Sequence, residues 1–215
     1  MIMNELVKKV KEFEKELTGN KLVIKEKFEL ADQPAQNAQI STQRSLNRIE
    51  SSVLNFYDVA NGIEIKWKAA DTDMQQNEIT GSVKINSFLQ VVKDWNGVVF
   101  FDKDPVDSPV RKFFPLDFFA DEAAVGFCTK GGWRNMLYLY QFEGELIPLY
   151  VDFKSYLQLM LEAKACFYWQ YLIIELISNE ENEVSRRIKK YLPDVFPGFS
   201  FTTFTKLFND TRIKL

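Results

Sequence analysis

The sequence contains no histidine among its 215 residues and only two cysteines. The absence of histidine excludes Ser-His-Asp and Cys-His catalytic arrangements and removes the commonest metal ligand and acid-base side chain near neutral pH. Cys128 and Cys166 each lie in an apolar run, where a free thiol usually behaves as a small buried hydrophobic group. Two thiols cannot form a four-cysteine zinc site. We therefore expect no metal and no cofactor.

Long apolar runs and a strong net charge are also lacking. No uninterrupted apolar stretch approaches the roughly 18 residues that a membrane span requires, and the N-terminal segment carries too many charges for a secretory signal. The formal net charge is −3, whereas nucleic acids and anionic membranes favour cationic surfaces. These features predict a cytoplasmic protein that binds neither nucleic acid nor membrane.

The motifs of common enzymes are missing as well, since the chain has no GxGxxG, Walker loop, GxSxG or HExxH. Asp117, Asp121 and Glu122 lie close together, and paired carboxylates can carry glycoside hydrolysis. Acidic residues that flank an apolar Phe-Phe pair are nevertheless more typical of loops and helix starts. We predict no enzymatic activity.

One stretch, Ser45 to Trp67, shows a helix that stops and leads into a strand. Its apolar residues recur at helical spacing and then alternate, at Leu46, Ile49, Val53, Phe56 and Ala60 and at Ile63, Ile65 and Trp67. Asn61-Gly62, between the two patterns, suits the left-handed backbone that commonly ends a helix. The stretch predicts a helix packed through one face, followed by a half-buried strand.

The rest of the chain gives similar patterns. An amphipathic helix is predicted from Ile2 to Leu17, ended by Gly19-Asn20, and strands are predicted at Leu22–Ile24, Ile79–Ile85, Val98–Phe101 (a buried strand or its approach), Val125–Cys128, Met136–Phe142 and Glu145–Tyr150. Three prolines predict a loop from Asp102 to Pro115. No Gly or Pro occurs between Pro148 and Pro193, so helix is predicted from Asp152 to about Leu192, with breaks that the sequence does not place.

Together these elements predict an α+β protein. We expect a single domain over residues 1–215, with a largely antiparallel sheet of about five to six strands flanked by helices. The core is predicted at about 1–165. A helical, Phe-rich extension follows at about 166–215, and its phenylalanines must cover an apolar surface in this chain or in another.

The order of the motifs resembles the SUKH superfamily, which includes fungal cell-wall assembly regulators and many bacterial immunity proteins. Leu54-x-Phe56-Tyr57, then Asn61-Gly62 and a strand ending at a Trp, is similar to its "FY…NG" signature. The resemblance implies structural roles for Phe56, Tyr57, Asn61, Gly62, Trp67, Gly81 and Phe153. Two features depart from it: the Pro expected before the helix is missing, and about fifty residues extend past the usual end.

The resemblance implies a protein that binds a partner and performs no chemistry. As an immunity protein it would bind and block a cognate toxin domain, often a nuclease; as a regulatory scaffold of the fungal type it would have no toxin partner. Six acids form the candidate partner-binding surface, because an acidic surface complements a basic nuclease: Asp102, Asp104, Asp107, Asp117, Asp121 and Glu122. A plain solvated loop is the alternative interpretation, and the sequence favours it.

Trp133 and Arg134 are a further candidate contact pair, since Trp and Arg are favoured at binding hot spots. Trp133 folding back on the sheet is the alternative interpretation. The oligomeric state is left open, because a monomer and a dimer are both compatible with the sequence.

Overall fold

The computed structural model describes residues 2–36, 49–129, 136–142 and 144–214. The helices of these ranges are α1 (Ile2–Gly19), α2 (Ser51–Tyr57), α3 (Thr72–Gln76), α4 (Phe88–Val91), α5 (Phe153–Glu162), α6 (Gln170–Ser178), α7 (Glu183–Val195) and α8 (Phe201–Thr211), with a 3-10 helix at Pro109–Lys112. The strands are β1 (Val23–Leu30), β2 (Ile63–Ala69), β3 (Thr80–Ile85), β4 (Phe113–Ala120), β5 (Ala123–Cys128), β6 (Leu137–Gln141) and β7 (Leu146–Pro148).

The strands form one sheet in which the spatial order follows the chain from β1 to β7. The pairs from β3 to β7 are antiparallel, with Val125 of β5 opposite Leu139 of β6, for example. The α+β class, the antiparallel sheet and the helical C-terminal part are thus confirmed. The described part of the chain holds seven strands, more than the five to six expected.

The predicted helix of the 45–67 stretch is shorter in the structure than the pattern indicated. Helix α2 begins at Ser51, because the Glu50 carboxylate caps it and accepts hydrogen bonds from Ser52 N at 2.8 Å and Val53 N at 3.3 Å. It ends at Tyr57, with Asp58 at its C-cap, before the Asn61-Gly62 pair. Leu46 lies outside the described residues.

Asn61-Gly62 instead forms the turn that leads into β2. Gly62 has a φ of +123°, and a Cβ there would lie 3.0 Å from Ile85 O, so the position requires glycine. Asn61 N donates to Ala31 O at 2.7 Å. The alternation predicted for β2 is confirmed, since Ile63, Ile65 and Trp67 are buried while the residues between them are not.

Two predictions for the segment before the central strands were wrong. Val98–Phe101 is not a strand: it forms a turn with a single bridge between Asn96 and Phe100, and both Val98 and Phe101 are exposed. Pro115 does not lie in a loop but in β4, opposite Gly126. A register shift follows between Pro115 and Asp117, which is where a strand tolerates a residue without an N–H.

The helix predicted from Asp152 to about Leu192 is divided by two breaks, at residues 163–169 and 179–182. Lys164, Ala165, Tyr168 and Asn179 all have positive φ, although none is glycine. The first break pairs with β3, through an antiparallel bridge between Gly81 and Cys166 and a hydrogen bond from Phe167 N to Thr80 O at 2.8 Å. These long-range backbone bonds offset the strain of the left-handed residues.

Contacts divide the chain into two compact units. Unit 1 comprises Met1–Glu29, Glu64–Val83 and Ser155–Arg212, and unit 2 comprises Leu30–Ile63, Lys84–Lys154 and Ile213–Leu215. The C-terminal helices α6 to α8 therefore belong to the same unit as α1, and do not form a unit of their own.

In unit 1 the apolar face of α1 is buried as predicted, and the Phe-rich tail covers apolar surface of the same unit. Phe196 lies 5.0 Å from the Trp67 ring, edge-on, and 6.5 Å from the Phe13 ring. Phe204 contacts Trp169 in the same way, at 6.3 Å. The tail is thus part of a core and not an exposed addition.

In unit 2 the core lies around the antiparallel strands. One buried cluster contains Trp95, Val99, Phe113, Ala124, Cys128, Met136, Tyr138 and Tyr140. Every residue of β5 is buried, which is expected for a strand that is covered on both faces.

Candidate functional site

The segment between α4 and β4 is a loop held together by one arginine, and we call residues 95–112 the Arg111 loop. The Arg111 guanidinium donates from Nη2 to the carbonyl oxygens of Phe101, Asp102 and Asp104, at 2.9, 3.0 and 2.7 Å. Its Nε donates to the Asp104 and Pro105 carbonyls, at 3.1 Å each. A single side chain therefore satisfies four backbone carbonyl oxygens of the loop.

Two acids of the loop strengthen the same arrangement. The Asp104 carboxylate accepts from Phe101 N at 2.7 Å, and the Asp102 carboxylate accepts from the Asn96 side-chain amide at 3.0 Å. Arg111 also lies over the Phe100 ring, 5.4 Å from its centroid. The loop is therefore ordered by its own polar side chains, which reduces the entropy lost when a partner binds to it.

Apolar side chains anchor the loop in the core of unit 2. Trp95 and Val99 belong to the buried cluster, while Phe100 and Val110 pack against it. The Trp95 ring stacks on Phe118 at 5.5 Å with an interplanar angle of 12°. Because apolar residues near both ends of the loop pack against the core, the positions of its exposed residues are fixed relative to unit 2.

Three apolar side chains of the loop point instead to solvent. Val106 is 86% exposed, Val98 43% and Phe101 40%. Asp102 and Asp107, next to two of them, are exposed as well. Apolar residues rimmed by charged ones are typical of protein-binding surfaces. We call Val98, Phe101, Asp102, Val106 and Asp107 the loop surface.

The six predicted acids are not all brought together. Asp102, Asp104 and Asp107 share the Arg111 loop, while Asp121 and Glu122 are exposed at the turn between β4 and β5. Between residues 100 and 122 the chain carries six acids and three bases, so the region is acidic on balance.

Asp117 corrects the prediction of an acidic surface, because it is completely buried within β4. Its carboxylate accepts a hydrogen bond from Lys84 N at 2.8 Å. A buried carboxylate that serves a backbone amide is not available to a partner, and it is not paired with Asp121 in a catalytic arrangement facing solvent. Asp117 is therefore a structural residue.

The predicted contact pair, Trp133 and Arg134, and the glycine pair Gly131-Gly132 lie outside the described residues.

Four residues of the SUKH resemblance, Phe56, Tyr57, Trp67 and Phe153, are buried. In unit 2, the Phe56 ring lies edge-on to Tyr57 at 5.1 Å and to Phe153 at 5.3 Å. The Tyr57 hydroxyl donates to Asn86 O at 2.7 Å, and the Asn61 side-chain oxygen accepts from Phe88 N at 2.8 Å.

In unit 1, Trp67 lies directly over Gly81, where a Cβ would be 1.9 Å from the indole nitrogen. That nitrogen donates to Lys164 O at 2.9 Å. Trp67 and Gly81 therefore contact each other across the adjacent strands β2 and β3.

Both cysteines are buried and free, as predicted. Burial raises the pKa of the Cys128 thiol to about 12 and that of the Cys166 thiol to about 12. Burial also raises the pKa of Tyr57 above its usual range. A thiol reacts as its thiolate, so neither cysteine is activated as a nucleophile in this fold.

Unit 1 also contains a groove of about 400 Å³ between α1, α5 and α8. Its lining carries charges of both signs, and it includes Lys9, Glu12, Phe13, Gln158, Lys164 and Thr203. Lys164 Nζ is already paired with Glu16 at 2.8 Å. The groove therefore does not concentrate charge of one sign for a small ion.

The sequence analysis missed the residues that organise and form the loop surface. In the sequence Arg111 is only one of two basic residues, with Lys112, that follow Asp107. Its five hydrogen bonds to backbone carbonyls depend on the folded path of the loop. Val106 did carry a signal, since an apolar residue between Pro105 and Asp107, in a segment interrupted by prolines, is not expected to be buried in a helix or a central strand.

No known protein family, curated protein or solved structure gives a significant match to this chain. Of the described helices, none combines the length and the apolar character needed to cross a bilayer. In the described residues, no group of three or more cysteine, aspartate or glutamate side chains converges as metal ligands would. The SUKH resemblance stays a prediction.

Proposed function

We propose that this protein is a binding module that neutralises a cognate toxin domain by occupying it, as the resemblance to bacterial immunity proteins implies. The loop surface is the contact region in this proposal. The observation that supports it is the exposure of Val98, Phe101 and Val106 on a loop that Arg111 holds in place.

Physical reasoning favours a protein partner for this surface. Burying the three apolar side chains removes apolar area from water, which is worth roughly 25 cal/mol for each Å². Asp102 and Asp107 lie at the rim, where charges mainly speed association and exclude wrong partners. A partner with an apolar recess and a basic rim fits both features, and a basic rim is typical of an enzyme that binds nucleic acid.

The test is co-expression with a toxin domain encoded next to this gene. The wild-type protein is expected to restore growth and to bind the purified toxin domain in a one-to-one complex. Phe101→Asp and Val106→Asp should each weaken binding at least tenfold, because each places a charge in the apolar contact. Ile177→Asp is the matched control, since Ile177 is an exposed apolar residue of unit 1 and should leave binding unchanged.

Failure of the wild-type protein to bind or to protect would contradict the proposal. The same weakening by Ile177→Asp would show that the loop surface is not the contact. Binding of a partner that is not toxic, through the same loop residues, would favour the alternative role of a regulatory scaffold.

A further inference from the structure

The exposed end of the Arg111 loop consists of two consecutive turns, residues 101–104 and 105–108, which we call the double turn. Asp104 N donates to Phe101 O at 3.0 Å, and Ser108 N donates to Pro105 O at 3.0 Å. Each turn is therefore closed by a hydrogen bond between its first and fourth residues, as in a β-turn.

One guanidinium holds both turns. Arg111 Nη2 donates to Phe101 O, the carbonyl that closes the first turn, and Arg111 Nε donates to Pro105 O, the carbonyl that closes the second. Asp104 is half-buried between them, and its carboxylate accepts from Phe101 N at 2.7 Å. The double turn is therefore ordered before a partner arrives, so binding costs little conformational entropy.

The double turn projects from unit 2. Six of the seven residues 101–107 are exposed, and the exception is Asp104. Val106, within the second turn, is 86% exposed, so almost nothing in the chain shields it. Its neighbours Pro105 and Asp107 are exposed as well. The double turn is therefore a convex feature with an apolar side chain at its tip.

A convex apolar tip is complementary to a recess in the partner. A flat surface would leave gaps around Val106, where the contacts that stabilise a well-packed interface are lost. On an enzyme such a recess is typically the pocket that binds the substrate, and proteins have few such pockets. For a partner that is an enzyme, the shape of the double turn therefore favours the active-site cleft over the rest of the surface.

The charges of the double turn indicate the kind of enzyme. Asp102 and Asp107 are exposed, one in each turn, and the single exposed base is Lys103, whose Nζ lies 5.6 Å from the centroid of the Phe101 ring. In the described part of the chain neither carboxylate forms an ion pair, although Asp102 accepts from the neutral Asn96 amide. An acidic projection complements a basic recess, and a cleft that binds the phosphates of a nucleic acid is basic.

We propose that the double turn enters the active-site cleft of a nucleic-acid-cleaving toxin domain. Val106 fills the recess, and Asp102 and Asp107 face the basic residues that otherwise bind phosphates. This placement rests on the proposed function, because it names the place on the toxin domain where the loop surface binds. The protein then inhibits by excluding the substrate, whereas a contact elsewhere on the toxin domain leaves the cleft open to the substrate.

The first test measures whether the protein and the substrate exclude each other. Cleavage of a short oligonucleotide by the purified toxin domain encoded next to this gene is followed at several concentrations of oligonucleotide and of this protein. The protein concentration that halves the rate should rise in proportion to the oligonucleotide concentration above its KM, with the maximal rate unchanged. A half-inhibiting concentration that does not depend on the oligonucleotide, or a complex that contains all three components, overturns the proposal.

The same measurement separates this placement from the proposed function. A toxin domain that is bound and neutralised without competition overturns the placement in the cleft and leaves the proposed function standing. A neutralised toxin domain that cleaves no nucleic acid does the same. A toxin domain that the protein does not bind contradicts both.

The second test varies the size of the tip. Val106→Ala leaves the recess partly empty and Val106→Trp is too large for it, so each should weaken inhibition about tenfold. On a flat contact the larger apolar side chain should instead bind at least as tightly as valine. Ile177→Ala and Ile177→Trp are matched controls at an exposed apolar residue of unit 1 and should change nothing. Inhibition by Val106→Trp as strong as that by the wild type overturns insertion into a recess.

The third test changes the charge of the double turn in both directions. Asp102→Asn and Asp107→Asn should each slow association with the toxin domain several-fold at low ionic strength, because each removes a negative charge that attracts a basic cleft. Lys103→Gln removes a positive charge from the first turn and should speed association. All three effects should shrink as added salt screens the charges. Unchanged or faster association of both aspartate variants excludes a basic cleft and overturns the proposal.

Discussion

The indole ring of Trp67 covers Gly81 so closely that there is no room for a side chain at that position. A Cβ on Gly81 would lie 1.9 Å from the indole nitrogen and 2.3 Å from the adjoining ring carbon. The ring is held from its other sides, because its nitrogen donates to Lys164 O and Phe196 packs edge-on at 5.0 Å. This contact ties β2, β3 and the C-terminal helices of unit 1 into one core.

Replacing Gly81 with alanine is therefore expected to destabilise the protein. The new methyl group must displace a fully buried indole, and overpacking of this kind costs about 3 kcal/mol of unfolding free energy. Chemical denaturation monitored by tryptophan fluorescence measures the loss. Gly19→Ala is the matched control, since a Cβ there meets nothing within 4 Å, and it should leave stability unchanged or raise it slightly. An equal loss in both variants would contradict the close contact.

Replacement by alanine should lower the free energy of unfolding at Asp117 but leave it nearly unchanged at Asp121. Asp117→Ala removes the buried acceptor of Lys84 N and should cost about 2 kcal/mol, because the amide is left without that partner. Asp121→Ala alters an exposed residue and should change stability by less than about 0.5 kcal/mol. Urea unfolding of the two variants gives the comparison. A neutral Asp117→Ala would show that the carboxylate is not needed inside β4.

Arg111→Lys is expected to loosen the Arg111 loop without unfolding unit 2. Lysine keeps the charge but not the planar fork that reaches the carbonyls of Phe101, Asp102 and Asp104 together. Hydrogen exchange of the amides from Phe101 to Ser108 should accelerate at least tenfold, while β5 and β6 stay protected. Arg186→Lys, an exposed arginine of α7, is the control and should change neither region. Unchanged exchange in the loop would contradict the role of Arg111.

The protein should lose stability in alkaline solution. Burial raises the pKa of Cys128 and of Cys166 to about 12, whereas an unfolded thiol titrates near about pH 8.5. Between these values the unfolded chain has lost protons that the folded chain keeps, so the free energy of unfolding falls as pH rises. Each thiol contributes up to about 1.4 kcal/mol per pH unit in that window.

Urea midpoints measured from about pH 8 to pH 11, in the presence of reductant, give this slope. The double variant Cys128→Ala, Cys166→Ala should show a shallower decline, with Tyr57 as a remaining contributor because its pKa is also raised. An identical slope in the variant would mean that the thiols are not buried in the folded protein.

Periodicity predicted the elements whose burial is local. The apolar stripe of α1 and the alternation of β2 are both present, because each pattern follows from the local geometry of a helix or a strand. The strands predicted at Val125–Cys128, Met136–Phe142 and Glu145–Tyr150 are β5, β6 and β7 in the structure. The short helix α3 was missed because its cap, the Asp71 carboxylate, lies in a stretch that is polar throughout.

The sequence by itself determined that the chain has no histidine chemistry, that its cysteines are buried and that it is an α+β protein with an antiparallel sheet. The breaks between the C-terminal helices, the burial of Asp117 and the role of Arg111 were decided only by tertiary structure. Each depends on a backbone group that is distant in sequence or on the path of a loop. Cys166 forms a bridge with Gly81, and the Asp117 carboxylate accepts from Lys84 N. Arg111 donates to four carbonyl oxygens of its loop. Such partners leave no period in the sequence, because nothing local requires them.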